Sequence, residues 1–231
     1  MIKRPDRRTD SNQLRQFTAA QNVLHQADGS ARFDIGNTSV LVSVVGPTEV
    51  TMRDEKLDEA TVELVVRPAV GVSTTTERLW ERYLRNAFEP VILGGLMPRT
   101  LVQIVVQILK DDGSVLAAAV NAISLALLDA GIPMKYMATA MSCMVDKNTK
   151  EIIMDPTAAE LKNAASVHTF AFDSINKSAH ALLSDSIGDF IPDEYFACHD
   201  KCFEAAGKVH SFLRLSVEEK KRKEYQQQAN E

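Results

Sequence analysis

The residues of this chain whose types and spacing could do chemistry are a few acids, one serine turn and a run of arginines. Asp155 stands at the end of an apolar run and is followed by Pro156-Thr157, a helix-opening pair. A carboxylate set against an anion site with a cation is what general-acid chemistry on a phosphodiester needs. The turn Asp112-Gly113-Ser114 would be the anion site, because Ser114 can cap the apolar segment after it and a helix N-terminus presents backbone N–H groups. Ser114 and Asp155 meet if the strands that carry them are neighbours. The arrangement is thin, since no Arg or Lys occupies 114–119 and only Glu160 follows Asp155 closely as a second acid. A hydrolytic alternative would use Asp155, Asp111 or Asp112 with a divalent metal.

Arg78, Arg82 and Arg85 fall at i, i+4 and i+7, so they share one face of the helix that their surroundings predict. Two readings are open for this stripe. It pairs with Glu77, Glu81 and Glu89 on a wet surface, each pair worth about 0.3–0.5 kcal/mol, or it is a basic stripe for phosphates. Cys198 and Cys202 share a helical face with His199 and His210 nearby, but the spacing matches no closed zinc motif, and core packing is the expected role. His168 sits inside a predicted strand and reads as a satisfied core histidine. No phosphate-binding or dinucleotide-binding glycine loop and no His-Glu-x-x-His occurs.

The elements that must position these residues follow from periodicity. Residues 17–24, 31–35 and 38–46 read as three strands of an antiparallel meander, joined through Asp28-Gly29 and Gly36-Asn37, with Pro47 ending the third. Residues 60–67 form another strand, closed by Pro68, after a charged loop at 50–57. Residues 77–93 form a helix that Gly94-Gly95 ends. The stretch Pro98 to Pro133 reads as a β-branched strand, 101–109, turning at Asp112-Gly113 into a helix, 115–130, that is apolar nearly all round and therefore buried. Strands at 136–145, 151–154 and 164–172 follow, then a polar loop with Asn176, Lys177 and Ser178, a loop at 184–189, and a helix from Pro192 to about Tyr225. This order predicts an α/β (α+β) two-layer sandwich with mixed β-sheets. Residues 1–13, carrying Lys3, Arg4, Arg7 and Arg8, are expected to be a flexible basic arm, 14–215 the folded domain, and 216–231 a charged helix end whose last residues, 226–231, fray.

Composition narrows the class. A net charge of −5 over 231 residues argues against a broad nucleic-acid-coating face, though not against a local basic channel. Three cysteines suit a reducing, intracellular compartment better than a disulfide framework. No signal peptide and no membrane span is predicted.

Taken together and in order, Asp28-Gly29-Ser30-Ala31, Gly36-Asn37-Thr38-Ser39-Val40, Arg67-Pro68, Pro98-Arg99-Thr100, Asp112-Gly113-Ser114, Asn121-Ala122, 126–133 and Asp155-Pro156-Thr157 resemble the RNase PH family. They look most like its short RNase PH-like ring subunits of the eukaryotic RNA exosome. The resemblance implies a ring of six such domains around a pore and, in enzymatic members, phosphorolysis of RNA from the 3′ end. It implies a phosphate-binding arginine where this chain has Val115, beside Ser114, and a second acid at the position of Leu161. Losing that cation removes a charge-assisted hydrogen bond worth about 1.5–3 kcal/mol, so a degenerate site without catalysis is expected at Ser114, Val115, Asp155 and Leu161. Arg67, Arg78, Arg82 and Arg85 then become expected RNA contacts. The implied partners are other RNase PH-like subunits of a hetero-hexameric ring, S1/KH RNA-binding cap subunits, an associated hydrolytic ribonuclease and single-stranded RNA in the channel, with no cofactor, no metal and no membrane. The implied locations are nucleus, nucleolus and cytoplasm. An active 3′-to-5′ exoribonuclease and a homo-oligomer with no RNA role are the alternatives.

Overall fold

The computed structural model describes residues 4–6, 8–174 and 180–228. Lys3, Arg7, the expected loop residues Asn176, Lys177 and Ser178, and residues 229–231 lie outside them. Among the described residues two sheets and four α-helices make the fold. The first sheet contains β1 (Phe17–Gln21), β2 (Gly29–Ile35), β3 (Thr38–Glu49), β5 (Thr100–Lys110) and β4 (Thr61–Arg67), in that order. It is mixed: β1 to β3 and β5 run antiparallel, and β4 pairs parallel with β5 across the crossover helix α1 (Thr75–Phe88). The second sheet, ordered β7 (Ile152–Met154), β6 (Ala138–Asp146), β8 (Ala164–Asp173), β9 (Ala181–Gly188), is antiparallel throughout.

Helix α2 (Val115–Asp129) packs on β2 and β3 of one sheet and on β6 of the other. That placement buries every residue from Val115 to Leu127 and explains a segment without a polar face. Its two interior polar residues have work at the edge of β6, which β7 covers only at 143–145. Asn121 donates from Nδ2 to the Ala140 carbonyl at 3.0 Å and accepts the Ala140 N–H at 2.9 Å, while Ser124 Oγ donates to the Ala138 carbonyl at 2.6 Å. A buried amide thus replaces the missing strand, leaving no orphaned backbone group at Ala140. At the far end of α2, Asp129 accepts the N–H groups of Asn22 (3.1 Å) and Ser30 (3.0 Å) and pairs with Lys220. Gly29 makes this junction possible: a Cβ there would lie 2.3 Å from the Ala130 nitrogen. Helix α4 (Pro192–Gln228) lies along β6 and β8 and reaches β1. Among the described residues no helix is long and apolar enough to cross a membrane.

Several expectations are corrected here. Strand β3 does not stop at Pro47 but runs to Glu49, with an irregular register between Val45 and Thr48 that takes the proline out of the ladder. Helix α1 ends at Phe88 rather than Leu93, because Pro90 has no N–H to continue it. Val91 and Ile92 stay buried as a turn, which is why their apolar spacing imitated another helical turn. The polar residues 184–188 belong to edge strand β9, where one face meets solvent, and not to a loop. Helix α4 continues to Gln228, past the point where fraying was expected. Arg4 and Arg8 do not lie on a solvated arm: they are 4% and 6% exposed.

Candidate functional site

Asp155 follows β7 in the left-handed conformation, φ +51°, and is 0% exposed. The hydrogen bonds to its carboxylate come from Arg15, with Arg8 Nη1 farther off, 3.9 Å from Oδ2. Arg15 donates Nε to Oδ2 at 2.9 Å, Nη2 to Oδ1 at 2.6 Å, and its own backbone N–H to Oδ2 at 3.0 Å. The same guanidinium reaches the carbonyl of Asp112 at 3.0 Å and, more loosely, that of Gly113 at 3.4 Å. Asp155 and Ser114 are therefore close, as expected, but for a different reason. Their strands, β7 and β5, lie in different sheets, and Arg15 with the 155–157 segment joins them. Gly113, at φ +83°, lets Pro156 approach; a Cβ there would sit 2.6 Å from the Pro156 carbonyl.

Arg4 and Arg8 complete the clamp. Arg8 donates to the Asp155 carbonyl at 2.9 Å, and Arg4 holds Glu160 through Nε (2.7 Å) and Nη2 (3.0 Å). Glu160 also accepts the Thr157 N–H at 2.8 Å in the capping box of the short helix α3 (Ala158–Leu161). Burial alone would raise the Glu160 carboxyl, but the Arg4 guanidinium and the Thr157 N–H outweigh it and hold it below the usual carboxylate range. Asp112 accepts from the Ala158 N–H at 3.3 Å and from Asn37 at 3.2 Å, and Asp111 accepts from the Gly113 N–H at 3.0 Å. The acids proposed for a hydrolytic metal are thus turned toward separate donors.

Ser114 does not cap α2 with its side chain. It sits in the left-handed region, φ +59°, where an N-cap needs extended backbone, and its hydroxyl points to the Pro156 carbonyl at 3.4 Å. Val115 is buried at the first position of α2, and Leu161 is half-buried at the end of α3.

Arg78, Arg82 and Arg85 are exposed on α1, and Arg67 is exposed at the end of β4. Their expected partners are engaged elsewhere. Glu77 accepts the Thr74 N–H at 2.6 Å, Glu89 pairs with Lys56, and Glu81 accepts the Val66 N–H of edge strand β4 at 2.9 Å. A hydrogen bond to a carboxylate is worth about 1.5–3 kcal/mol, against about 0.3–0.5 kcal/mol for an exposed helical ion pair, so the edge strand wins Glu81. Among the described residues these four arginines have no carboxylate partner. The wet-surface pairing is thereby corrected.

Cys198 and Cys202 face Cys143 of β6, and all three are fully buried. The contact with Cys143, then burial, pushes the Cys198 thiol far above its ordinary range and keeps it protonated and unreactive. Among the described residues no group of three or more His, Cys, Asp or Glu could hold a metal ion. His168 is 0% exposed, with Nε2 3.0 Å from Ser166 Oγ and Nδ1 2.9 Å from Ser186 Oγ. It is a satisfied core histidine.

Comparison with known proteins places this geometry. Residues 13–133 match the 3′ exoribonuclease family, domain 1, of RNase PH type. Over 209 residues the chain is 37% identical to the Saccharomyces cerevisiae "Exosome complex component RRP46", covering 84% of this chain and 94% of that protein. The chain belongs to the RNase PH family. It is 31% identical over 221 residues to the Oryza sativa "Exosome complex exonuclease RRP46 homolog", covering 90% and 92% of the two chains. The crystal structure of rice Rrp46 superposes with a TM-score of 0.87 at 32% identity, covering 93% of this chain and all of that one. An archaeal exosome core chain shares the fold, with a TM-score of 0.77 at 18% identity over 92% of this chain. Within this RNase PH chain, the arginine stripe and the Ser114 turn lie inside the matched span, while Asp155 and Leu161 lie beyond it. Arg15 carried no sequence signal. No motif or period marks it, and only the folded chain shows which acid it meets.

Proposed function

We propose that this chain is a non-catalytic subunit of an exosome-type ring, supporting 3′-to-5′ RNA processing and degradation by shaping the ring and part of its RNA channel. The observation that carries this reading is Asp155: it is 0% exposed and bound through both oxygens by Arg15, so it has no path to a substrate. Val115 and Leu161, both apolar, occupy the positions where the family resemblance implies a cation and a second acid. The names of the yeast and rice relatives support the ring assignment. Other RNase PH-like subunits would be its neighbours, with S1/KH cap subunits and a separate hydrolytic ribonuclease completing the assembly in nucleus, nucleolus and cytoplasm. Arg67, Arg78, Arg82 and Arg85 would line the RNA path.

The word exonuclease in the rice relative's name favours a second reading, an active 3′-to-5′ exoribonuclease. A 5′-labelled RNA incubated with the pure chain, with phosphate or with Mg²⁺, separates the two. No shortening is expected, and phosphate-dependent release of nucleoside diphosphates would overturn the proposal. For the channel role, R78A/R82A/R85A in the assembled ring should flatten the slope of log affinity against log salt by about 2, from about 0.7 per lost phosphate contact on a single strand. An unchanged slope would remove these arginines from the RNA path.

A further inference from the structure

The arginine stripe is open because of where one acid goes. Glu81 stands three residues after Arg78 and four before Arg85, the spacing at which a glutamate ordinarily neutralises helical arginines. Instead Oε1 accepts the Val66 N–H at 2.9 Å. Val66 belongs to β4, whose one ladder is with β5, so its other edge is free. Both backbone groups of Val66 on that edge are closed by side chains: Glu81 takes the N–H, and Ser73 Oγ donates to the carbonyl at 3.1 Å. The same contact covers an exposed sheet edge and ties α1 to the strand that ends in Arg67.

We infer that Glu81 is a positioning residue for phosphate binding: it anchors α1 on the β4 edge, registers Arg78, Arg82 and Arg85 with Arg67, and withholds its own charge from them. This rests on the reading of the four arginines as RNA contacts. It makes a prediction opposite in sign to simple electrostatics. Removing an acid from a basic RNA-binding face ordinarily tightens binding. Here Glu81→Ala frees the edge of β4 and lets the helix drift, so affinity falls. Glu81→Gln keeps an acceptor oxygen for Val66, so the helix stays in place.

The test measures single-stranded RNA binding by the full chain and the assembled complex, together with hydrogen exchange at the Val66 amide. E81A should weaken binding about 3–10-fold and speed Val66 exchange about tenfold or more, while E81Q should stay within about twofold of the unsubstituted chain in both readouts. Tighter or unchanged binding by E81A would overturn the inference, as would Val66 exchange that does not respond to it. If R78A/R82A/R85A leaves RNA binding unchanged, the RNA reading fails by itself, and the exchange experiment still decides whether Glu81 holds the edge.

Discussion

Replacing Asp155 by asparagine separates a structural acid from a catalytic one. In the fold Arg15 is 8% exposed, and its nearest other carboxylate is Asp112 at 3.8 Å. The substituted amide could still accept one hydrogen bond, but it would leave the guanidinium with only the more distant Asp112 as counter-charge. Removing one partner of a buried pair costs about 3–5 kcal/mol. For a chain of this size about 1 kcal/mol moves Tm by about 2–4 °C, so D155N should lower Tm by about 10 °C. R15M should cost a similar amount, because it strips the buried Asp155 carboxylate of its side-chain hydrogen-bond donors and leaves only Arg8 at 3.9 Å. The double variant R15M/D155L removes both charges and should recover a large part of the loss, giving a coupling of about 2–3 kcal/mol in a double-mutant cycle. Thermal unfolding followed by circular dichroism at neutral pH reads all four proteins. A drop below about 2 °C for D155N, or single costs that simply add, would refute the assignment of Asp155 as the anchor of the N-terminal segment. A proton donor would behave oppositely, with stability kept and turnover lost.

Two further outcomes follow from buried polar groups. Asn121→Leu should cost about 2–4 kcal/mol, because the Ala140 N–H and carbonyl both lose their partner. Urea unfolding checks this, and a cost below about 1 kcal/mol would mean that β6 does not depend on the amide. Burial holds the His168 imidazole below its ordinary proton affinity, with the charge of Glu194 opposing only in part. Neutral histidine is therefore the folded form. Its contribution should be fully present above about pH 6.5 and lost as pH falls through the lower folded value. H168Q should flatten stability between pH 7 and pH 5, and an unaltered slope would place the titration elsewhere.

Much of the fold was legible because it is local. Gly36-Asn37 is the two-residue turn on which the β2–β3 register is centred, whereas the β1–β2 register centres on Gln26 and Gly29 already belongs to β2, so Asp28-Gly29 is not the hairpin turn that its residue types suggest. The alternation Val102, Ile104, Val106, Ile108 marks the buried face of β5. An apolar helix without a polar face had to be enclosed, and α2 is packed against both sheets. The edge strand β9 was not legible, since Ser184, Asp185 and Ser186 read as a loop until β8 supplies their hydrogen bonds. Turn chemistry and periodicity act between near neighbours, so a single chain displays them.

The candidate site divides along the same line. By itself the sequence determined that Val115 and Leu161 are apolar, that three arginines share a helical face, and that a turn precedes a buried helix. Only the tertiary structure decided what the charges do. Arg15 meets Asp155 across 140 residues, Arg4 meets Glu160 across 156, and Glu81 turns from its own helix to the edge of β4. A charge commits to a partner according to burial and distance, and both exist only after the chain has folded.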